Sequence, residues 1–204
     1  MERLFSFQRT CPLSFIVLGI TCLVLLSTHT LSTGQTFNQK QERIIKQKSW
    51  QNEPVKILRL KIKSKDFALG QKFLEDDDWL KNLTISVKNV SGKNITFISL
   101  TLDFPRSEGS TEVPSAYDLE YGRNPLFPVD AILPDNQKPI LAGETKDLAL
   151  SDEEYNSLRH FLSETNYPTS IKQVDIILGQ IIFEDGTKWA GGAWFRRDST
   201  NPTK

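Results

Sequence analysis

Apolar positions along this chain recur in three rhythms, and the commonest is a period of two. In VKILRLKIK, Leu58, Leu60 and Ile62 alternate with Arg59, Lys61 and Lys63, as in a half-buried strand with a basic outer row. Such a row is a usual guard on an exposed sheet edge. Leu83, Ile85 and Val87 alternate within LTISVKN, and ITFISLTLDF follows after a turn at Val90-Ser91-Gly92-Lys93. In that second run Ile95 and Phe97 share one face while Ile98, Leu100, Leu102 and Phe104 share the other. The phase change predicts either a bulge or a strand buried on both sides. Two β-rich runs joined by a glycine-containing turn predict a hairpin. PILAGETKDLAL resumes a strand pattern. Near the C-terminus two strands flank Glu184-Asp185-Gly186-Thr187, where Asp-Gly predicts a type I′ turn. Gly191-Gly192 is expected to break the returning strand at a bulge.

A period of 3.6 occurs once. Ser151 followed by Glu154 makes a capping box, and Tyr155, Leu158, Phe161 and Leu162 fall on one stripe, predicting a helix over 152–164. Residues 105–139 have no clear period, contain six prolines, and hold Tyr117, Tyr121 and Phe127. A stretch of that length reads as short irregular strands or as a functional loop. Residues 35–54 are polar and basic and read as a linker, with a short amphipathic helix as the alternative. The domain is therefore expected over 55–198, with 199–204 a disordered tail. The elements together predict a mainly-β protein: an immunoglobulin-like β-sandwich with one short α-helix inserted before the C-terminal hairpin.

The third rhythm is an almost wholly apolar run, LSFIVLGITCLVLL from Leu13 to Leu26, preceded by Arg3 and Arg9. Ser32-Thr33-Gly34 supplies small residues for a cut before Gln35, as in a secretory signal peptide. A run of fourteen residues falls short of the roughly 20 apolar residues that a spanning helix needs, which favours cleavage of 1–34 over retention as an anchor. Under either reading the domain is extracytoplasmic: periplasmic or secreted, or held to the membrane by residues 13–26 alone. Both cysteines, Cys11 and Cys22, lie in or beside this run, so the rest of the chain folds without disulfides. Thiol catalysis, cysteine-based zinc sites and redox motifs are excluded with them.

The chain carries 25 Lys+Arg and 25 Asp+Glu. Removing Glu2, Arg3 and Arg9 with residues 1–34 leaves 23 against 24, a net of −1. That balance lacks the basic footprint of a nucleic-acid binder.

The KNVSGKNITFISLTLDFP segment, YGRNP at 121–125, the LSDEEYNSLRHFL helix and FEDGTKWAGG together resemble a group of uncharacterised exported bacterial proteins. The first of these is also similar to immunoglobulin-like modules of the FxLYD sort. The resemblance spans most of 80–198 and implies the β-sandwich; it implies no catalytic residues.

Candidate chemistry is sparse. His160, the single histidine beyond the export segment, falls opposite the helix's apolar stripe and so meets solvent rather than a catalytic partner. Asp76, Asp77 and Asp78 offer oxygen ligands for calcium, yet lack the spaced pattern of a calcium loop, and a solvated acidic loop is the plainer reading. Trp189 and Trp194, with Tyr117, Tyr121 and Phe127, are candidates for an aromatic platform for a sugar face. Trp189 and Trp194 are five apart and should face opposite ways unless the glycine pair re-phases them. Three sequons begin at Asn82, Asn89 and Asn94, and the bacterial resemblance favours coincidence. No carboxylate pair is singled out, so the chain is read as a non-enzyme without cofactor. The leading expectation is an exported binding or assembly module of the cell envelope. Its partner is an envelope protein met by the 105–139 loop or, as the alternative, a glycan met by Trp and Tyr; a small hydrolase is the distant third.

Overall fold

In a computed structural model, residues 40–106, 115–123 and 138–196 are described. The export segment, the 199–204 tail and Phe127 lie outside these residues. The N-terminal half contributes β1 (Gln41–Lys48), β2 (Val55–Ile62), β3 (Lys65–Phe67), β4 (Lys72–Glu75), β5 (Thr84–Asn89) and β6 (Ile95–Phe104). The C-terminal half contributes β7 (Ser115–Gly122), β8 (Thr145–Ala149), α1 (Asp152–Glu164), β9 (Gln173–Phe183), β10 (Lys188–Ala190) and β11 (Ala193–Phe195).

These strands make two sheets. One holds β3-β2-β5-β8 in that order, all antiparallel. The seven-stranded sheet is built on β9, which pairs along its length with β6. The other edge of β9 is shared: β1 runs parallel to it over Gln173–Ile177, and β10 runs antiparallel over Gln180–Ile182. Leu60, Ile85 and Leu148 of the smaller sheet share one core with Ile98, Leu100 and Ile181 of the larger. The architecture is mainly β and sandwich-like, with one helix.

The helix matches its sequence signal. Ser151 caps it, its Oγ accepting from the Glu154 N–H while the Glu154 side chain accepts from the Ser151 N–H, and Tyr155, Leu158 and Leu162 are buried. The strand expected near Val174–Phe183 is β9.

Several expectations are corrected. Residues 35–54 do not form a simple polar linker, because Gln41–Lys48 is a strand flanked by β4 and β9. Arg43 and Ile45 are buried while Glu42 and Lys46 are not, so half of this polar run faces inward. Leu60 and Ile62 face inward as expected, but Leu58 is 54% exposed, since a bulge between Ile57 and Arg59 re-phases β2 and puts Val55 inward in its place. The 105–139 stretch is divided by β7, which pairs with β6 from Ser115 to Gly122. The turn after β9 is not type I′: Gly186 alone takes a positive φ (78°), and its N–H bonds the Phe183 carbonyl. Gly191 and Gly192 (φ 55° and 85°) make a two-residue hairpin turn, not a bulge, and reverse the chain from β10 into β11.

The largest correction concerns LTISVKN and ITFISLTLDF, which do not pair with each other. Each already has neighbours on both edges, β2 and β8 for β5, β7 and β9 for β6, so no edge remains to share. The segment between them is an arch from one sheet to the other, and Asn89 holds it. Fully buried, its Nδ2 lies 2.8, 3.1 and 3.0 Å from the carbonyls of Lys93, Ile140 and Leu141. Its Oδ1 accepts from the Ser91 N–H and hydroxyl at 3.0 and 2.6 Å. An amide so committed leaves no room for a glycan, so the Asn89 sequon is a coincidence of sequence. Asn89→Ala removes five hydrogen bonds of the arch, although the Lys93, Ile140 and Leu141 carbonyls each keep a second donor, and is expected to cost about 1–2 kcal/mol in urea unfolding. An unchanged midpoint would remove Asn89 from this role.

Candidate functional site

The aromatic residues singled out by sequence do not assemble into one platform. Following the pairing across the larger sheet, Tyr121 lies opposite Ile98, Ile98 opposite Ile181, Ile181 opposite Trp189, and Trp189 opposite Trp194. Residues opposite one another share a face, so this is a single transverse row turned toward the core. Four strand spacings separate its ends, about 19 Å. Trp189 in the middle is fully buried, and Tyr117 and Tyr121 pack half-buried against the core. The Tyr121 hydroxyl donates to the Lys138 carbonyl at 2.7 Å, and Lys146 Nζ sits 4.9 Å from its ring centre. Burial, aided by the nearby Glu154 carboxylate, pushes the Tyr117 phenol up. Both tyrosines thus belong to a strand and to the core, not to a free loop.

Trp194 remains available. The Gly191-Gly192 turn folds β11 back beside β10 and carries the indole to the open end of the row, where it is 49% exposed. Its ring stacks on the buried Phe183 at 5.3 Å between centroids and 20° between planes. Beside it lies a groove of about 450 Å³ lined by Lys93, Thr187, Trp194, Phe195 and Arg196. Lys93 Nζ is 5.9 Å from the Trp194 ring centre and is fixed there by Asp185 Oδ2 (2.7 Å) and Thr187 Oγ1 (3.0 Å). Lys93 foremost, then the Thr187 hydroxyl and N–H that donate to Asp185 Oδ1 at 2.6 and 3.0 Å, hold the Asp185 carboxyl well below the usual range. Lys93, Phe195 and Arg196 were invisible as site residues in the sequence, because their proximity depends on the arch and on the double reversal of β9, β10 and β11.

The acidic segment is spread over separate partners. Asp76 pairs with Lys63 at 2.6 Å, Asp77 with Arg43 at 2.6 Å, and Asp78 accepts from the Tyr155 hydroxyl at 2.8 Å. Among the described residues no group of three acidic or histidine side chains converges in a way that could hold a metal ion. Arg43 is the unforeseen residue here. It is fully buried, and besides Asp77 it reaches the Ile171 carbonyl at 2.6 Å, Ser170 Oγ at 2.9 Å, and the Asp76 and Glu75 carbonyls at 3.3 and 3.4 Å. Its guanidinium holds the Asp77 carboxyl below the usual carboxylate range. His160 lies on the exposed side of α1 against Glu164 at 3.3 Å. Of the 105–139 stretch, residues 107–114 and 124–137 lie outside the described residues.

Neither a protein-family model, nor a curated protein, nor a solved structure matches this chain. Among the described residues no helix is long and apolar enough to cross a membrane.

The Asp77 and Asp185 shifts fix a pH dependence. A carboxyl held low in the folded state stabilises the fold above its unfolded pKa of about 4, and that contribution is lost as pH falls through the lower folded value. The melting temperature is therefore expected to drop in acid, and Asp77→Asn should flatten that limb between about pH 5 and pH 2. An identical acid slope in the variant would contradict the pairing with Arg43.

Proposed function

We propose that this chain is an exported, non-catalytic binding module of the cell envelope, an immunoglobulin-like β-sandwich that takes a saccharide on Trp194. Export rests on the Leu13–Leu26 run and the small residues that follow it. The immunoglobulin-like reading is supported by the order in which the strands are laid down. β2 and β5 enter one sheet, β6 and β7 the other, β8 returns to the first, and β9 and β10 close the second. That alternation resembles the Greek-key order of such sandwiches, with α1 in the connection before β9.

The observation that carries the binding role is the posture of Trp194. One ring face is spent on Phe183, which fixes the indole in place, while half of the side chain stays in solvent. A fixed aromatic face loses little entropy when it stacks on the apolar face of a sugar. Arg196 brings positive charge and Thr187 a hydroxyl to the same groove, while Lys93 stands there already paired with Asp185. This lining suits a glycan that carries carboxylates: the ring stacks, Arg196 meets the acid, and no bond in the ligand changes.

Titration calorimetry of an oligogalacturonate and of a neutral oligogalactoside of equal length tests the reading. The acidic glycan is expected to bind the more tightly, and Trp194→Ala to weaken it at least tenfold, about 1.4 kcal/mol, without lowering the melting temperature appreciably. Equal affinity in the Trp194→Ala protein, or no binding of the acidic glycan, would overturn it.

A further inference from the structure

The outer face of the smaller sheet gathers cations that the fold leaves without counter-ions. β2 pairs with β5 so that Lys56 lies opposite Lys88, Arg59 opposite Ser86 and Lys61 opposite Thr84. On the other side of β5, Ser86 faces Asp147 and Lys88 faces Thr145. Residues opposite one another share a face, and Ile57, Leu60, Ile85 and Val87 between them turn to the core. Lys56, Arg59, Lys61 and Lys88 therefore stand together on the solvent side.

Two like charges directly opposed across a strand pair repel. Among the described residues, Lys56, Lys61 and Lys88 have no ion pair. The carboxylates on this face are Asp66, 3.8 Å from Arg59, and Asp147, which accepts from the Ser86 hydroxyl. The whole chain balances 25 Lys+Arg against 25 Asp+Glu, so four cations against two carboxylates are a local excess. Edge protection does not account for it. Lys88 belongs to β5, which has β2 and β8 on its two sides and no edge to guard. Leu58 stands among the cations, put out of the alternation by the β2 bulge and 54% exposed. β2, β5 and β8 hold no aromatic residue, and Phe67 of β3 packs against the core.

We propose that this face docks on an anionic bilayer, with Leu58 entering the headgroup boundary while Lys56, Arg59, Lys61 and Lys88 meet the acidic headgroups. The mobile point charge of a lysine suits a fluid array of anions, and an aliphatic chain among cations suits the boundary between headgroups and acyl chains. An acidic polysaccharide fits less well, because the face offers no ring for a sugar to stack on. The chain also brings a bilayer near. While the Leu13–Leu26 run lies in a membrane, residues 27–40 keep β1 within about 50 Å of it. At that range a few charges act at high effective concentration. Trp194 and its groove take no part.

Lysine acetylation of the full chain, read residue by residue by mass spectrometry, tests this surface. The chain is compared alone, with phosphatidylcholine vesicles, and with equal parts of phosphatidylglycerol and phosphatidylcholine. Insertion of the Leu13–Leu26 run is open to both vesicles and does not imitate a footprint on one face. Lys56, Lys61 and Lys88 are expected to react at least threefold more slowly on the anionic vesicles alone, while Lys46 and Lys188 of the larger sheet keep their rates. Raising the salt from about 0.1 to about 0.5 M should release that protection by screening. In co-sedimentation, Lys56→Gln and Lys88→Gln together are expected to cut the preference for anionic over neutral vesicles at least tenfold, since each charge near such a surface contributes roughly fivefold. The double variant removes an opposed like-charge pair, so its melting temperature should not fall. Trp194→Ala should leave the footprint unchanged, which separates this face from the glycan groove. Equal protection on neutral vesicles, slowing of Lys46 and Lys188 in step with the face, or an undiminished preference in the double variant would each overturn the proposal. So would protection by oligogalacturonate as strong as by the anionic vesicles.

Discussion

Arg43 ties together three parts of the chain that are far apart in sequence: β1, the loop after β4, and the segment between α1 and β9. A guanidinium taken wholly out of water is costly unless nearly every donor is met, and here carbonyls, a hydroxyl and a carboxylate meet them. The Ile171 carbonyl also accepts from Trp79 Nε1 at 2.8 Å, so the indole and the guanidinium converge on one acceptor. The consequence is positional. With Ile171 and Ser170 held against β1, β9 starts beside Ile44 and runs on as the central strand of the larger sheet.

The aromatic groove depends on that placement. Because β1 takes only the first part of one β9 edge, the rest is left for β10, and the turn beyond it brings Trp194 back over Phe183. The candidate aromatic groove therefore lies at the end of β9, beside Phe183.

Local patterns were legible in the sequence where a single element decided the outcome. The capping box and stripe of α1, the length of β9 and the solvent-facing His160 follow from periodicity alone. Failures arose where non-local pairing decides. LTISVKN and ITFISLTLDF look like a hairpin because adjacency favours one, yet each finds two better edges elsewhere. The 41–48 segment looks like a tether because its inward residues are Arg43 and Ile45, and a buried arginine carries no hydrophobic signal. Leu58 was misplaced by a bulge that leaves no mark in VKILRLKIK. The candidate site shares this limit. Trp194 was visible as an aromatic, but its separation from Tyr121 by a full sheet width was not.

The central claim, that β1 is an integral strand held by a buried Arg43, is tested most directly by hydrogen–deuterium exchange of the Ile44–Lys48 amides in the native chain and in Arg43→Met. Methionine keeps the volume of the side chain but takes away the donors that Asp77, Ser170 and the Ile171, Asp76 and Glu75 carbonyls meet, a loss of about 1–3 kcal/mol. The account predicts that these amides are protected together with those of β9 in the native chain and exchange well ahead of them in the variant. Rapid exchange in the native chain, or unchanged protection in Arg43→Met, would contradict it.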